Sequence, residues 1–544
     1  MAYLAGLHAA GQVKAFRQAH QRTAQVQQQL LRTLLAAHAQ TQFGRDHDFS
    51  KIADYRDFRA AVPIGSYESL EPYIQRVLDG QSDALLPASE RAMMFSMTSG
   101  TTGKPKHIPV TPRFAREMRR GSNIYGLMVL GDHPEAWLRP ILQISSPMRE
   151  HDSPTGLPCG AISGMLAETQ KRIVRQMYVV PPEVLQVQDP LARYYTTLRC
   201  GVHRDVSILV TANPSSTIKM MEIGQAHAER LIRDVADGTL NPPGTVGPEI
   251  RKAVRFKPNR ALARRMEQGL TRDGRLLPRH FWSVAFLCNW TGGTLQLYLP
   301  RLRELFGDVP VRDIGLLASE GRFSVPLADG TPAGVAEITA NFLEFIPVEE
   351  AASSDPQPLL AHELEIGREY FLVFTNWASL WRYNLDDRIR VVDRLGQSPI
   401  FEFLSRGMHT ASITGEKITE HQVVEAMRQA CAKLNRQAPG DQSVTVERFC
   451  LQGRFAAIPY YELRADTHTD RAEKLSELME AALCDLNIEY ASKRKSGRLG
   501  PIRPIVLPAG TLDDHERQRI LDRRGRSEQY KHQYLLTEVL RDEA

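Results

Sequence analysis

No run of eighteen or more apolar residues occurs in the 544-residue sequence, so it offers no candidate for a membrane-spanning helix. Cysteine is scarce. The six present (Cys159, Cys200, Cys288, Cys431, Cys450 and Cys484) lie far apart, with no CxxC pair and no CxxC…HxxxH spacing. That excludes a disulfide scaffold or zinc-finger module and reads as free, mostly buried thiols in a reducing compartment. The N-terminus, MAYLAGLHAAGQVKAF, has neither a basic leader nor a long apolar core, so no signal peptide is expected and the cytoplasm follows. A strong charge of one sign is missing too. Lys and Arg number 68 against 63 Asp and Glu, a net +5 spread along the chain. Without a basic patch interleaved with aromatics, nucleic-acid binding is not expected. A diffuse positive balance still favours small anions. No HExxH or HxxxD arrangement stands out among the histidines, and no tandem repeat is visible. The longest polar low-complexity stretch, 351–358, is short and reads as a surface loop.

What is present is an ordinary globular composition, 42% hydrophobic and 24% charged. The length exceeds what one core usually serves and implies at least two domains. Gly11 to His38 has a helical pattern, with Leu30, Leu31, Leu34 and Leu35 forming an apolar stripe. Gln25 and Gln27 to Gln29 are expected on its solvated face. Runs 141–145, 205–212, 368–376 and 388–393 read as strands. Helical stretches sit between them, around 218–236 and 295–306. Such alternation predicts a mixed α/β (α+β) architecture with sizeable sheets. A new helix over 420–434 and strands at ERFCLQ, YYELRA and RPIVLP define a charge-rich end. The boundary is placed near Arg406, giving domains 1–405 and 406–544.

The most informative stretch is MFSMTSGTTGKPKHIPVT, residues 94–111. Four hydroxyls (Thr98, Ser99, Thr101 and Thr102), two glycines (Gly100 and Gly103) and two lysines (Lys104 and Lys106) make a loop able to wrap phosphate oxygens. A plain Ser/Thr/Gly turn between a strand and a helix is the blander reading of a bare SGTG string. The GxxxxGK[ST] spacing of a P-loop is absent, because Gly100 and Gly103 stand too close and Pro105 follows Lys104. Kinase- or GTPase-type phosphoryl transfer is disfavoured accordingly.

This loop resembles the phosphate-binding loop of the adenylating superfamily that includes acyl-CoA synthetases and luciferases. The chain as a whole resembles one branch, the auxin-responsive acyl acid–amido synthetases (the Gretchen Hagen three family). The resemblance is carried by residues 43–86, CNWTGGTLQLYLPRLRELFGDVPVRDIGLLASEG (288–321), NFLEFIP (341–347), LWRYNLDDRIRVV (380–392), FEFLSRGMHTASITGEKITEHQV (401–423), 486–511 and GRSEQYKHQYL (525–535). It implies a large N-terminal adenylating domain holding the ATP and acyl-acid sites, with sheets flanked by helices. A smaller mobile C-terminal α/β domain would act as the lid.

By the same resemblance, Thr98, Ser99, Gly100, Thr101, Thr102, Gly103 and Lys104 would hold ATP phosphates; Lys104 and Lys106 would otherwise be solvated. Ser319 and Glu320 match a Ser-Glu pair whose carboxylate would bind Mg²⁺, a hard cation that prefers oxygen. A helix cap or exposed pair is the alternative. Asp387 would bind the ribose hydroxyls, or else pair with Arg388 or Arg390 on its own strand. Arg406 falls at the hinge. Lys417 and Lys531 match C-terminal lysines that approach the nucleotide in catalysis. His107 lines the site or is structural or solvated. Three positions depart from the pattern. Leu316 replaces an aromatic that stacks on adenine, Asn384 an arginine and Asp386 a glycine, which puts nucleotide binding there in question.

The implied chemistry needs no covalent nucleophile. A carboxylic acid and ATP give an acyl-AMP and pyrophosphate, and an amino acid's amine then displaces AMP to give an amide. The implied cofactors are ATP and Mg²⁺, and a monomer is expected. The acid pocket is expected between the phosphate loop and 281–320, with Phe281, Trp282, Trp290 and Trp137 as candidate lining. A thioester-forming ligase using coenzyme A or a carrier thiol shares the loop. A non-catalytic nucleotide-binding scaffold is the reading from another class.

Overall fold

The computed structural model describes the chain apart from residues 1, 99–105, 171, 408–409, 412, 415, 417, 438–445, 447, 457, 466–468, 496–498, 509, 513–531 and 542–544. The chain divides into two compact units, Met1–Gly292 with Leu302–Phe403 and Gly293–Arg301 with Leu404–Ala544. The short segment Gly293–Arg301, inside the expected first domain, thus groups with the second unit.

The first unit holds three larger sheets. In one, β3 (Ile141–Ile144), β6 (Ile208–Thr211), β7 (Phe286–Asn289) and β8 (Val311–Asp313) run parallel in the order β3-β6-β7-β8. Their short apolar runs suit parallel strands covered on both faces. Helices Pro190–Val202 and Pro214–Ala226 each start with proline and are capped by Asp189 and Asn213, whose side chains accept backbone N–H groups. The expected 218–236 helix is two, Pro214–Ala226 and Ala228–Asp237.

A mixed sheet, order β2-β1-β5-β4, comprises β1 (Met94–Thr98), β2 (Lys106–Val110), β4 (His151–Asp152) and β5 (Pro158–Gly160). A seven-stranded, largely antiparallel sheet has the order β11-β12-β17-β16-β15-β13-β14. Its strands are β11 (Ser324–Pro326), β12 (Gly334–Ala336), β13 (Asn341–Pro347), β14 (Leu359–Leu360), β15 (Glu369–Asn376), β16 (Tyr383–Leu395) and β17 (Ser398–Arg406). Between these sheets β9 (Leu317–Ala318) and β10 (Gly321–Arg322) form a small hairpin.

The expected N-terminal helix is two helices, Ala2–Ala19 and Thr23–His38, separated by a 3₁₀ turn. One glutamine expectation fails. Gln25, Gln28 and Gln29 are exposed, but Gln27 is buried. Helical periodicity sets Gln27 on the stripe of Thr23, Leu31, Leu34 and His38, which faces β13. There its amide donates to the carbonyls of Ile338 (2.6 Å) and Asn341 (2.8 Å) and accepts from Leu343 N (2.7 Å).

The second unit has its own core. Strands β20 (Phe449–Phe455), β21 (Tyr460–Ala465), β22 (Arg503–Val506) and β23 (Leu535–Arg541) take the order β22-β21-β20-β23, and β18 (Thr410–Ala411) pairs with β19 (Ile418–Thr419). Val423, Val424 and Met427 of helix Glu420–Gln437 and Leu475 and Met479 of helix Thr469–Leu486 pack on Phe449, Leu451, Tyr461 and Leu463. All six cysteines are free thiols, and among the described residues no helix is long and apolar enough to cross a membrane.

Candidate active site

The glycine- and hydroxyl-rich loop joins β1 to β2, which pair antiparallel from Met94↔Val110 to Thr98↔Lys106. The strands on either side of it are therefore direct neighbours in one sheet. The strand-to-helix setting of the blander reading is corrected: the helix Pro112–Asp132 begins only after β2, where Thr111 caps it through Phe114 N. Ser99 to Lys104 and the Thr98 side chain lie outside the described residues, as do Lys417 and Lys531. Lys106 is more than a solvated lysine. Its ammonium lies 5.3 Å from the centroid of the Tyr67 ring, and the Tyr67 hydroxyl accepts from His107 N (3.0 Å).

Ser319 and Glu320 are the two turn residues of the β9–β10 hairpin, in which Ala318 pairs with Gly321. The helix-cap alternative is thereby excluded. Ser319 Oγ donates to the carbonyl of Met97 (3.3 Å), which sets the turn beside the last residues of β1. Glu320 is only 4% exposed. Its carbonyl accepts from Asn376 Nδ2 (2.8 Å), and Asn376 also donates to Asn341 Oδ1 (3.1 Å). Asn376 ends β15, which pairs with β16, the strand bearing Asp387. A continuous path thus runs from the loop strand through Ser319, Glu320 and Asn376 to the strand of Asp387.

Asp387 is 3% exposed and points to the buried side of β16 with Tyr383, Leu385, Ile389 and Val391. Arg388 and Arg390 project from the other face and both pair with Glu369. Two of the three residues that depart from the family pattern sit at a register irregularity within β16: Asp386 has φ +62°, and its N–H donates to Asn384 Oδ1 (2.9 Å). Leu316 packs against the main core, its N–H donating to Ser324 Oγ (2.9 Å). Arg406 ends β17, whose last residues, Leu404 to Arg406, belong to the second unit.

The carboxyl ends of the parallel strands, where open α/β sheets bind ligands, form a polar rim. Asn289 Nδ2 donates to Thr211 O (2.8 Å), while Asp313 accepts from Thr291 N (2.6 Å), Thr291 Oγ1 (2.8 Å) and Gly315 N (2.6 Å). Burial pushes the Asp313 carboxyl up to about 6 against the pull of those donors. Trp290 braces the same rim through Nε1–H to Gly315 O (2.8 Å). Phe281 and Trp282 are core residues, the Trp282 ring closing over Gly201, and Trp137 is a surface residue. Asn376, Asn341 and Asp313 were not anticipated. Their one signal is a polar residue ending or starting an otherwise apolar strand. In the second unit the unanticipated Glu416, fully buried, accepts from Ile413 N (2.7 Å) and Thr414 N (2.8 Å).

The buried Glu320 turn thus lies beside the end of β1, the strand that leads into the hydroxyl- and glycine-rich loop, on a mixed α/β frame. Three family descriptions match the chain: GH3 family N-terminal domain over residues 12–311, GH3 family central domain over 335–406 and GH3 family C-terminal domain over 421–539. The chain belongs to the GH3 family. It is 25% identical over 528 residues to a jasmonoyl–L-amino acid synthetase of Oryza sativa subsp. japonica, covering 90% of this chain and 88% of the relative. It is also 25% identical over 531 residues to an indole-3-acetic acid-amido synthetase of Arabidopsis thaliana, covering 90% and 85%. A solved acyl acid amido synthetase in complex with 2,4-DB shares the fold with a TM-score of 0.83, at 21% identity over 98% of this chain and 95% of that one.

Proposed function

We infer that the chain is an ATP-dependent acyl acid–amido synthetase. A carboxylate oxygen attacks the α-phosphorus of ATP and pyrophosphate leaves. An amino acid's amine then attacks the acyl carbon of the acyl-AMP, the C–O bond to AMP breaks, and an amide forms with loss of the amine's proton. Family membership supports the reaction class. The observation that carries the reading is the Ser319–Met97 hydrogen bond, which sets the buried Glu320 turn against the strand feeding the phosphate loop.

In this reading Thr98 to Lys104 wrap the phosphates, Asp387 holds the ribose and Leu316 offers the adenine an apolar surface. Glu320 offers oxygen of the kind Mg²⁺ prefers, and Ser319 holds the turn that presents it. Bound there, Mg²⁺ would neutralise phosphate charge. Arg406, Lys417 and Lys531 supply positive charge from the second unit, which serves as the lid, while the first unit holds the ATP and acid sites. The Thr211–Asn289–Asp313 rim with Trp290 is the wall proposed for the acid pocket. The free thiols suit a cytoplasmic enzyme, taken here as a monomer.

The test compares wild type with Glu320→Gln in acid-dependent pyrophosphate release. The variant is expected to fold normally by circular dichroism and to lose about 100-fold or more in kcat/KM. Undiminished release would remove Glu320 from the machinery.

A further inference from the structure

The mixed sheet carries a second cluster of chemically active side chains that the adenylation chemistry does not use. Cys159 on β5 pairs in register with Phe95 on β1 on one side and with His151 on β4 on the other. His107 lies on β2 opposite Met97. The His107 and His151 rings stand edge to face with centroids 6.2 Å apart. One ligand atom from each of His107, His151 and Cys159 lies within 4.8 Å of the other two.

Two imidazoles and one thiol form a borderline-to-soft donor set suited to Zn²⁺ and unsuited to Mg²⁺, which takes oxygen. With metal–ligand bonds of about 2.0–2.3 Å, a tetrahedral ion holds its ligands about 3.3–3.6 Å apart. On those figures the cluster contracts by at most about 1.5 Å. The burial gradient allows this, because Cys159 is fully buried and fixed, His107 half-buried, and His151 exposed and able to change rotamer. Cys159 is also uncommitted: its Sγ makes only a long 3.9 Å contact with the carbonyl of Leu157.

We propose that His107, His151 and Cys159 form a site for one Zn²⁺-like cation, with three protein ligands and a fourth position open to solvent or an exogenous ligand. Because β2 is the strand that leaves the phosphate loop, the ion would tie that strand to β4 and β5. This site stands independently of the ligase reading, since its chemistry does not involve ATP.

The test is metal binding by the full, tag-free chain. Zn²⁺ is titrated calorimetrically, and Co²⁺ serves as a spectroscopic probe whose thiolate charge-transfer band reports sulfur ligation. One equivalent should bind, with the charge-transfer band present. Affinity should fall by more than about tenfold in both His151→Ala and Cys159→Ser. His47→Ala, away from the sheet, should match wild type. His151 is exposed, so loss of binding in that variant does not stem from a collapsed core, and thermal melts check Cys159→Ser. No saturable binding to the wild type, or full binding in either variant, overturns the site.

Discussion

At the residue scale two of the three departures from the family pattern, Asn384 and Asp386, form one device. Asp386 occupies the left-handed region at φ +62°, where glycine is relaxed and Asp or Asn are the best-tolerated alternatives. Asn384 supports that conformation by accepting the Asp386 N–H. Asp386→Gly should therefore stay within about 1 kcal/mol of wild type, while Asn384→Ala costs about 1 kcal/mol. In the Asp386→Gly background Asn384→Ala should cost much less, because glycine needs no support. Urea unfolding of the four proteins measures the coupling, and strict additivity would contradict it. Ser319, Glu320 and Asp387 were candidates in the sequence because they fall in contiguous motifs that resemble the family's. Asn376, which holds the Glu320 turn, is 56 residues away and reaches it only through tertiary pairing. The proposed His107, His151 and Cys159 cluster was illegible for the same reason: its ligands follow no metal-site spacing and meet only across sheet register.

At the scale of elements, a buried ion pair joins β13 and the residue before β16 to the short helix Tyr55–Ala61. Arg382 Nη2 donates to Glu344 Oε1 (2.8 Å) and Arg382 Nη1 to Val62 O (2.8 Å), while Tyr55 Oη donates to the same carboxylate (2.9 Å). Arg382→Ala leaves the Glu344 carboxylate buried and uncompensated, so stability should fall by about 3–5 kcal/mol. Gln27 makes a milder case. Gln27→Ala leaves one N–H and two carbonyls of the β13 region without partners and should cost about 1–3 kcal/mol, against less than about 0.5 kcal/mol for the exposed Gln28→Ala. Chemical denaturation followed by fluorescence measures both, and equal effects at positions 27 and 28 would refute the docking role. Strands β3, β6, β15, β16, β20, β21 and β22 were readable as apolar runs. Gln27 was not, since composition sees a glutamine cluster and only the helical phase relative to Leu31 and Leu34 separates its buried member from its exposed neighbours. The strand Leu535–Arg541 was also unanticipated, its run being interrupted by charge at a sheet edge.

At the scale of the whole molecule, acid should weaken the first unit in a defined window. Burial lowers both His20 and His38 to about 4 from an unfolded value near 6.5. Above that value the rings are neutral in folded and unfolded chains alike. Between about 6.5 and 4 the unfolded chain takes up protons that the folded rings refuse, so stability falls as the pH falls, by about 3 kcal/mol per histidine at pH 4. His38→Gln should flatten the slope by close to one proton relative to wild type in pH-dependent denaturation; an unchanged slope would contradict the assignment. The order of sheets and the two-unit division follow the alternation of strands and helices, but the grouping of Gly293–Arg301 with the C-terminal unit reverses sequence order and could not be read from it.

The central claim is that an acyl-AMP precedes the amide, and oxygen transfer tests it most directly. The chain is incubated with ATP, Mg²⁺, amino acids and a panel of carboxylic acids labelled with ¹⁸O in both carboxyl oxygens, and the products are weighed by mass spectrometry. The account predicts an amide that keeps one labelled oxygen and an AMP that gains the other, with pyrophosphate released in equal amount. Label appearing in inorganic phosphate with ADP, or ATP bound without turnover for any acid, would contradict it.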